Sequence, residues 1–97
     1  MPLKLVRIVK SPRPQKKWMA VFDKDGRTIT THFGAAGYAS YEKHKDKKRR
    51  SRYLQRHRAR ENWNDPTSAG SLSRYILWGD STSLKTNIAS FKRKFRL

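Results

Sequence analysis

The sequence predicts an α+β fold: a small antiparallel three-stranded sheet, formed by a hairpin and an N-terminal strand, covered by a C-terminal amphipathic helix, with a protruding basic helix. Three observations predict it. Apolar and β-branched residues alternate on either side of Asp25-Gly26, Leu84, Ile88, Phe91 and Phe95 recur at helical spacing, and ten Lys or Arg with a single acid crowd the stretch from Lys43 to Arg60. At 97 residues the chain can build one core but would starve two. A single domain over 1–97 follows, with a sheet part (1–39), a basic helix (40–62) and a part holding a short helix and the C-terminal helix (66–97).

The first strand is Leu3-Lys4-Leu5-Val6-Arg7-Ile8-Val9-Lys10, β-branched residues among spaced charges, ended by Ser11-Pro12-Arg13-Pro14. The hairpin runs from Trp18 through an Asp25-Gly26 turn and returns over Arg27 to Phe33. A two-residue loop sets Phe22 opposite Ile29, Ala20 opposite Thr31 and Trp18 opposite Phe33. The bulky side chains Trp18, Phe22, Ile29 and Phe33 then share the inner face. Gly34-Ala35-Ala36-Gly37 breaks the strand. Ser40 as N-cap with Glu42 in the first turn opens the basic helix.

On that helix Tyr53, Leu54 and His57 make a narrow stripe, whereas Lys43 to Arg50 holds no apolar residue, so its first half is expected to project from the core. Cations four apart, such as Lys43 and Lys47, Lys45 and Arg49, Lys48 and Arg52, Arg52 and Arg56, or Arg56 and Arg60, repel by about 0.2–0.5 kcal/mol each. Asn62-Trp63-Asn64-Asp65-Pro66 closes the segment. Leu72, Tyr75 and Ile76 then mark one face of a short helix with Gly79 placed to stop it. The final helix is capped by Ser81, Thr82 or Ser83, and its apolar residues fall within an arc of about 60°.

The formal charge is +17, from 24 Lys and Arg against 7 Asp and Glu. Such self-repulsion points to a polyanionic partner: nucleic acid, an acidic protein surface or an anionic membrane. The absence of Cys excludes disulfides, thiolate catalysis, Fe–S clusters and Cys-based zinc sites. Apolar runs of about five residues, against the roughly twenty of a membrane span, predict a soluble or membrane-peripheral chain. His32, His44 and His57 are too scattered for a recognisable ligand set, no nucleophile elbow is present, and Asp23, Asp25, Asp65 and Asp80 sit where turns and caps use them. No enzyme activity, cofactor, metal or small-molecule substrate is expected.

The candidate polyanion- or partner-binding residues are Lys43, Lys45, Lys47, Lys48, Arg49, Arg50, Arg52, Arg56, Arg58 and Arg60 on the basic segment, with Lys92, Arg93, Lys94 and Arg96 near the C-terminus. The run from Asp46 to Arg52 has the composition of a phosphate-binding helix, of a nuclear-import signal, and of a plain solvated face. Gly34 to Gly37 reads as a turn, lacking the order and Lys of a nucleotide-binding loop. The helix from Leu84 to Phe95 is expected to cover the sheet, with contact to an anionic membrane the other use of its face. Trp63 and Trp78 suit core edges, or stacking on bases.

His32-Phe33-Gly34-Ala35-Ala36-Gly37-Tyr38, Lys45-Asp46-Lys47-Lys48-Arg49-Arg50, Tyr53, Arg56-His57, Asn62-Trp63-Asn64-Asp65-Pro66, Ala69-Gly70 and Leu77-Trp78-Gly79 together resemble a family of small basic proteins of uncharacterised function carried by large double-stranded DNA viruses of algae and amoebae. The resemblance spans about half the chain, from His32 to Gly79. It implies a viral origin and carries over no catalytic or binding residue. Two functions then compete, the virion role being the favoured reading and DNA binding the alternative. The first is a virion structural role, as a minor capsid or cement protein docking on acidic undersides of capsid proteins with Trp and Phe anchors in pockets. The second is non-sequence-specific DNA binding or packaging through phosphate contacts. The expected location is the virion, with passage through host cytoplasm or nucleus.

Overall fold

The computed structural model describes residues 3–37, 45–59 and 62–97. Three strands, β1 (Leu3–Lys10), β2 (Lys16–Lys24) and β3 (Arg27–Ala35), form one antiparallel sheet in the order β1-β2-β3. Helix α1 (Lys47–Arg58) follows, then α2 (Ala69–Leu72), which runs on into a π-helical turn (Ser73–Leu77), and finally α3 (Leu84–Phe95). The architecture is α+β, and the hairpin register is the expected one, with Phe22 opposite Ile29, Ala20 opposite Thr31 and Trp18 opposite Phe33.

Asp25 and Gly26 both take positive φ (55° and 81°), the two-residue turn whose twist suits a hairpin, and the Asp23 carboxylate accepts the Gly26 N–H at 2.9 Å. β3 extends to Ala35, past the expected break, because Ala35 still pairs with Lys16 while Gly34 bends at φ 82°. In β1 a bulge between Leu5 and Arg7 shifts the pairing. Strict alternation would set Leu3, Leu5, Arg7 and Val9 on one face and press Arg7 against the core. The extra residue exchanges the faces, so Leu3, Leu5 and Ile8 all pack inward.

The core joins Leu5, Ala20, Phe22 and Phe33 of the sheet to Leu72, Ile76, Leu77 and Phe91. Trp18 and Ile29 flank it, half-buried. The cover is built in two steps: α2 and the π turn lie on β3, and α3 packs across the π turn to bring Phe91 into the core. Ser68 caps α2, its Oγ accepting the Ser71 N–H at 3.1 Å, and Thr31 Oγ1 donates to the Thr67 carbonyl at 2.7 Å, tying this lead-in to the sheet. The Trp78 N–H reaches back five residues to the Ser73 carbonyl at 2.9 Å. A five-residue turn brings Leu72 and Leu77 into line, which is why Leu77 is buried beside the expected Leu72 and Ile76.

Gly79 follows the helical segment as expected, but without a left-handed φ. Its role is close approach: a Cβ there would run into the Tyr75 carbonyl oxygen and lie 2.6 Å from Asn87 Cγ. Buried Asn87 fills that contact, its Nδ2 donating to the carbonyls of Ile76 (2.9 Å) and Ser81 (2.7 Å) while Oδ1 accepts the Ser81 N–H at 3.1 Å. Of the three expected caps for α3, Ser83 serves, accepting the Thr86 N–H at 3.3 Å.

Replacing Phe91 with Ala should cost about 3–5 kcal/mol, and Phe95, half-buried at the rim, less. Gly79→Ala should cost about 1–3 kcal/mol through overpacking. Urea denaturation with an unchanged m-value checks all three; an unaltered midpoint for Phe91→Ala would contradict the core assignment.

Candidate polyanion-binding face

The basic helix is shorter than expected. Lys45 takes φ 55° and Asp46 is extended, so a continuous helix from Ser40 is excluded and the helix opens at Lys47. The reason is Asp46, counted from sequence as an acid within the helix. It is the N-cap, its carboxylate accepting the N–H groups of Lys48 (3.0 Å) and Arg49 (3.3 Å). The expected cap Ser40, with Glu42, Lys43, His44 and Arg60, lies outside the described residues. Lys45 is exposed and precedes the helix, which removes its helical pairing with Arg49.

A helix this charged needs an anchor, because the remaining pairs Lys48–Arg52 and Arg52–Arg56 oppose it and helices shorter than about 12–15 residues are marginal alone. The anchor is the inner face formed by Arg50, Tyr53, Leu54 and His57. Tyr53 is buried and stacks on Trp78 with ring centres 4.3 Å apart and planes 4° from parallel. His57 also stacks on Tyr53, with ring centres 4.2 Å apart. The stripe of Tyr53, Leu54 and His57 is therefore where the sequence placed it.

Arg50 departs from expectation. Lys47, Lys48 and Arg49 are exposed as predicted, whereas Arg50 turns inward. Its Nε donates to the carbonyls of Trp78 (3.1 Å) and Gly79 (3.0 Å), and its Nη2 pairs with Asp80 at 2.7 Å. Helical segments end with carbonyls that have no partner within the helix, and those carbonyls are the negative pole of the dipole. Arg50 caps the end of the α2–π segment from 28 residues upstream. It is a strap holding α1.

With the inner face fixed, Lys48, Arg49, Arg52 and Arg56 stand on the outer one, all exposed. At 100° per residue they fall within about 100° of arc, over about 12 Å of helix. Lys47 and Arg58 flank them, exposed as well. Lys92, Arg93, Lys94 and Arg96 form a separate exposed group at the end of α3. There Arg96 takes the left-handed cap (φ 55°) and the Leu97 N–H closes on the Lys92 carbonyl at 2.8 Å.

Arg74 was not among the candidates. Its guanidinium carbon lies 4.9 Å from the centre of the Tyr75 ring and 5.2 Å from that of Trp63, and Nη1 donates to the Trp78 carbonyl at 3.3 Å. Burial, and then the neighbouring charge of Arg50, push its pKa down. The only sequence signal was its spacing, four residues before Trp78. Trp63 and Trp78 thus bear on Arg74 and Tyr53 at the edge of the fold. His32 shares a 2.7 Å hydrogen bond between Nδ1 and Ser11 Oγ. Among the described residues no three His, Asp or Glu come together as a metal site, and no helix is long and apolar enough to cross a membrane.

Residues 6–57 match a family of unknown function, DUF5754. The chain belongs to that family. The match runs from β1 through nearly all of α1, and the segment carrying Arg74, Trp78 and α3 lies beyond it. No curated protein and no solved structure matches the chain.

If Arg50 is the strap, Arg50→Ala should remove the Nε–H bond shared by the two carbonyls, worth about 1.5–3 kcal/mol, and an exposed ion pair with Asp80 worth at most about 1 kcal/mol, and loosen α1 first. Hydrogen exchange should show protection lost over Lys47–Arg58 while β2 stays protected. Equal loss in both, or in neither, would contradict the strap.

Proposed function

We propose that the protein is a non-enzymatic structural protein that binds the phosphate backbone of double-stranded DNA through the outer face of α1, without reading base sequence. The observation that carries this reading is the grouping of Lys48, Arg49, Arg52 and Arg56 on one exposed face whose opposite face is held by Arg50 and Tyr53. Duplex DNA presents one negative charge about every 1.7 Å along its axis, so a 12 Å cationic row has many phosphates within reach. Apart from Ser51, the outer face offers one uncharged side chain with base-reading geometry, Gln55, and phosphate contacts position a protein without specifying sequence.

The setting that goes with this reading is the particle of a large double-stranded DNA virus, and its support is the sequence resemblance alone. The cement role, docking on acidic capsid surfaces, is the second reading. It asks for apolar anchors. Among the described residues the one large apolar side chain that stands exposed is Val6, at 53%, and the Trp and Phe side chains that would serve are half-buried or buried in the fold. That weighs toward DNA.

DNA affinity across a salt series from about 50 to 300 mM distinguishes the two, because each neutralised phosphate adds about 0.9 to the log–log slope. The wild type should show a slope corresponding to six or more phosphates. A Lys48→Gln, Arg52→Gln, Arg56→Gln triple variant should flatten it by up to about 2.7 and weaken binding to every sequence alike. Binding lost at physiological salt, together with a triple variant that no longer joins particles, would favour the cement role.

A further inference from the structure

Between the π turn and α3 the surface opens into a cleft of 390 Å³, within the range of small-ligand sites. Arg74 and Lys94 bring two cations to it, and Ser81, Thr86 and Ser90 bring hydroxyls. One carboxylate, Asp80, is on the lining, and its charge is met by Arg50 at 2.7 Å. The local balance is positive.

Arg74 is the informative residue. Its Nη1 has a partner in the Trp78 carbonyl, but its Nε is buried without any hydrogen-bond partner. Buried polar groups are nearly always paired, and a charged group left short of partners is costly. The side chain is nonetheless fixed, since its guanidinium lies against Tyr75 and Trp63 and is hydrogen-bonded at one end. Lys94 is steered to the same place, with its Nζ 5.1 Å from the Tyr75 ring centre. Arg74 and Tyr75 both sit on the π-helical turn, a device often found at functional sites. The depressed Arg74 pKa has the same origin, burial first and then the charge of Arg50, which nearby Asp80 offsets only in part. A bound anion would relieve it.

We propose that this cleft is a phosphate-binding site, in which Arg74 and Lys94 hold the phosphate group and the hydroxyls of Ser81, Thr86 and Ser90 complete its shell. Arg suits this role because its planar donors match phosphate oxygens, and Lys supplies a mobile point charge. The phosphate could belong to a free ion or nucleotide, or to a nucleic-acid backbone. The chemistry is common to these sources, and the site is separate from the outer face of α1.

Isothermal titration of the full chain with inorganic phosphate, and in parallel with AMP, at fixed ionic strength in chloride tests the site. The wild type should bind at one site. Arg74→Lys should abolish that binding, and Lys94→Gln, an exposed change that spares the fold, should weaken it at least fivefold. Lys24→Gln with Arg27→Gln, removing the same kind of charge from the β2–β3 turn, should leave it unchanged. Phosphate binding that survives both Arg74→Lys and Lys94→Gln, or that falls equally with the turn variant, would overturn the proposal, as would no binding by the wild type. A short duplex separates the sources. Weaker duplex binding by Lys94→Gln, with the salt slope flatter by about 0.9, assigns a backbone phosphate. Unchanged duplex binding assigns a free phosphate.

Discussion

The end of the α2–π segment, at Trp78, is the constraint on which the rest of the structure depends. A chain of +17 must place cations near its core, where each would be costly without an acceptor. Trp78 supplies two kinds of contact at once. Its ring receives Tyr53, and its carbonyl accepts Arg50 and Arg74 together. A carbonyl has two lone pairs, and here both find a guanidinium. Without this junction α1 would have little to hold it, since its packing on the body runs through long side chains and its own composition works against helix formation.

Function follows from the same junction. A helix held on one face loses less freedom when its other face meets a partner, so on the proposed reading the outer cations are arranged before binding. The charges divide by role according to their angle around the helix: Arg50 is a structural strap, while Arg49 and Arg52, its near neighbours in sequence, face solvent. The π turn that positions Trp78 also carries Arg74 into the cleft beside α3. One irregular turn thus organises both the helix anchor and the cleft.

Most of the sheet was legible in the sequence, because hairpin register follows from turn length and side-chain alternation, and Asp25-Gly26 settles both. The C-terminal helix was legible for a similar reason, its apolar residues keeping a clean helical period. The bulge in β1 was not extracted, although the spacing of Leu3, Leu5 and Ile8 implies a change of face. Arg50 and Arg74 illustrate what pattern reading misses. Within a run of ten cations nothing local distinguishes the one that turns inward, because its acceptors lie 28 to 30 residues away in a turn whose π geometry carries no sequence mark. The start of α1 was misread because Asp46 among so many Lys and Arg looked like an interior acid, when its isolation is what suits it to cap the helix.

The central claim is that α1 has an inner structural face and an outer phosphate-binding face. The most direct test is an NMR titration with a short DNA duplex, following the Nε–Hε signals of the individual arginines. The signals of Arg49, Arg52 and Arg56 should shift together with added duplex while that of Arg50 stays in place. An Arg50 signal that moves with them, or shifts confined to the sheet, would contradict the account.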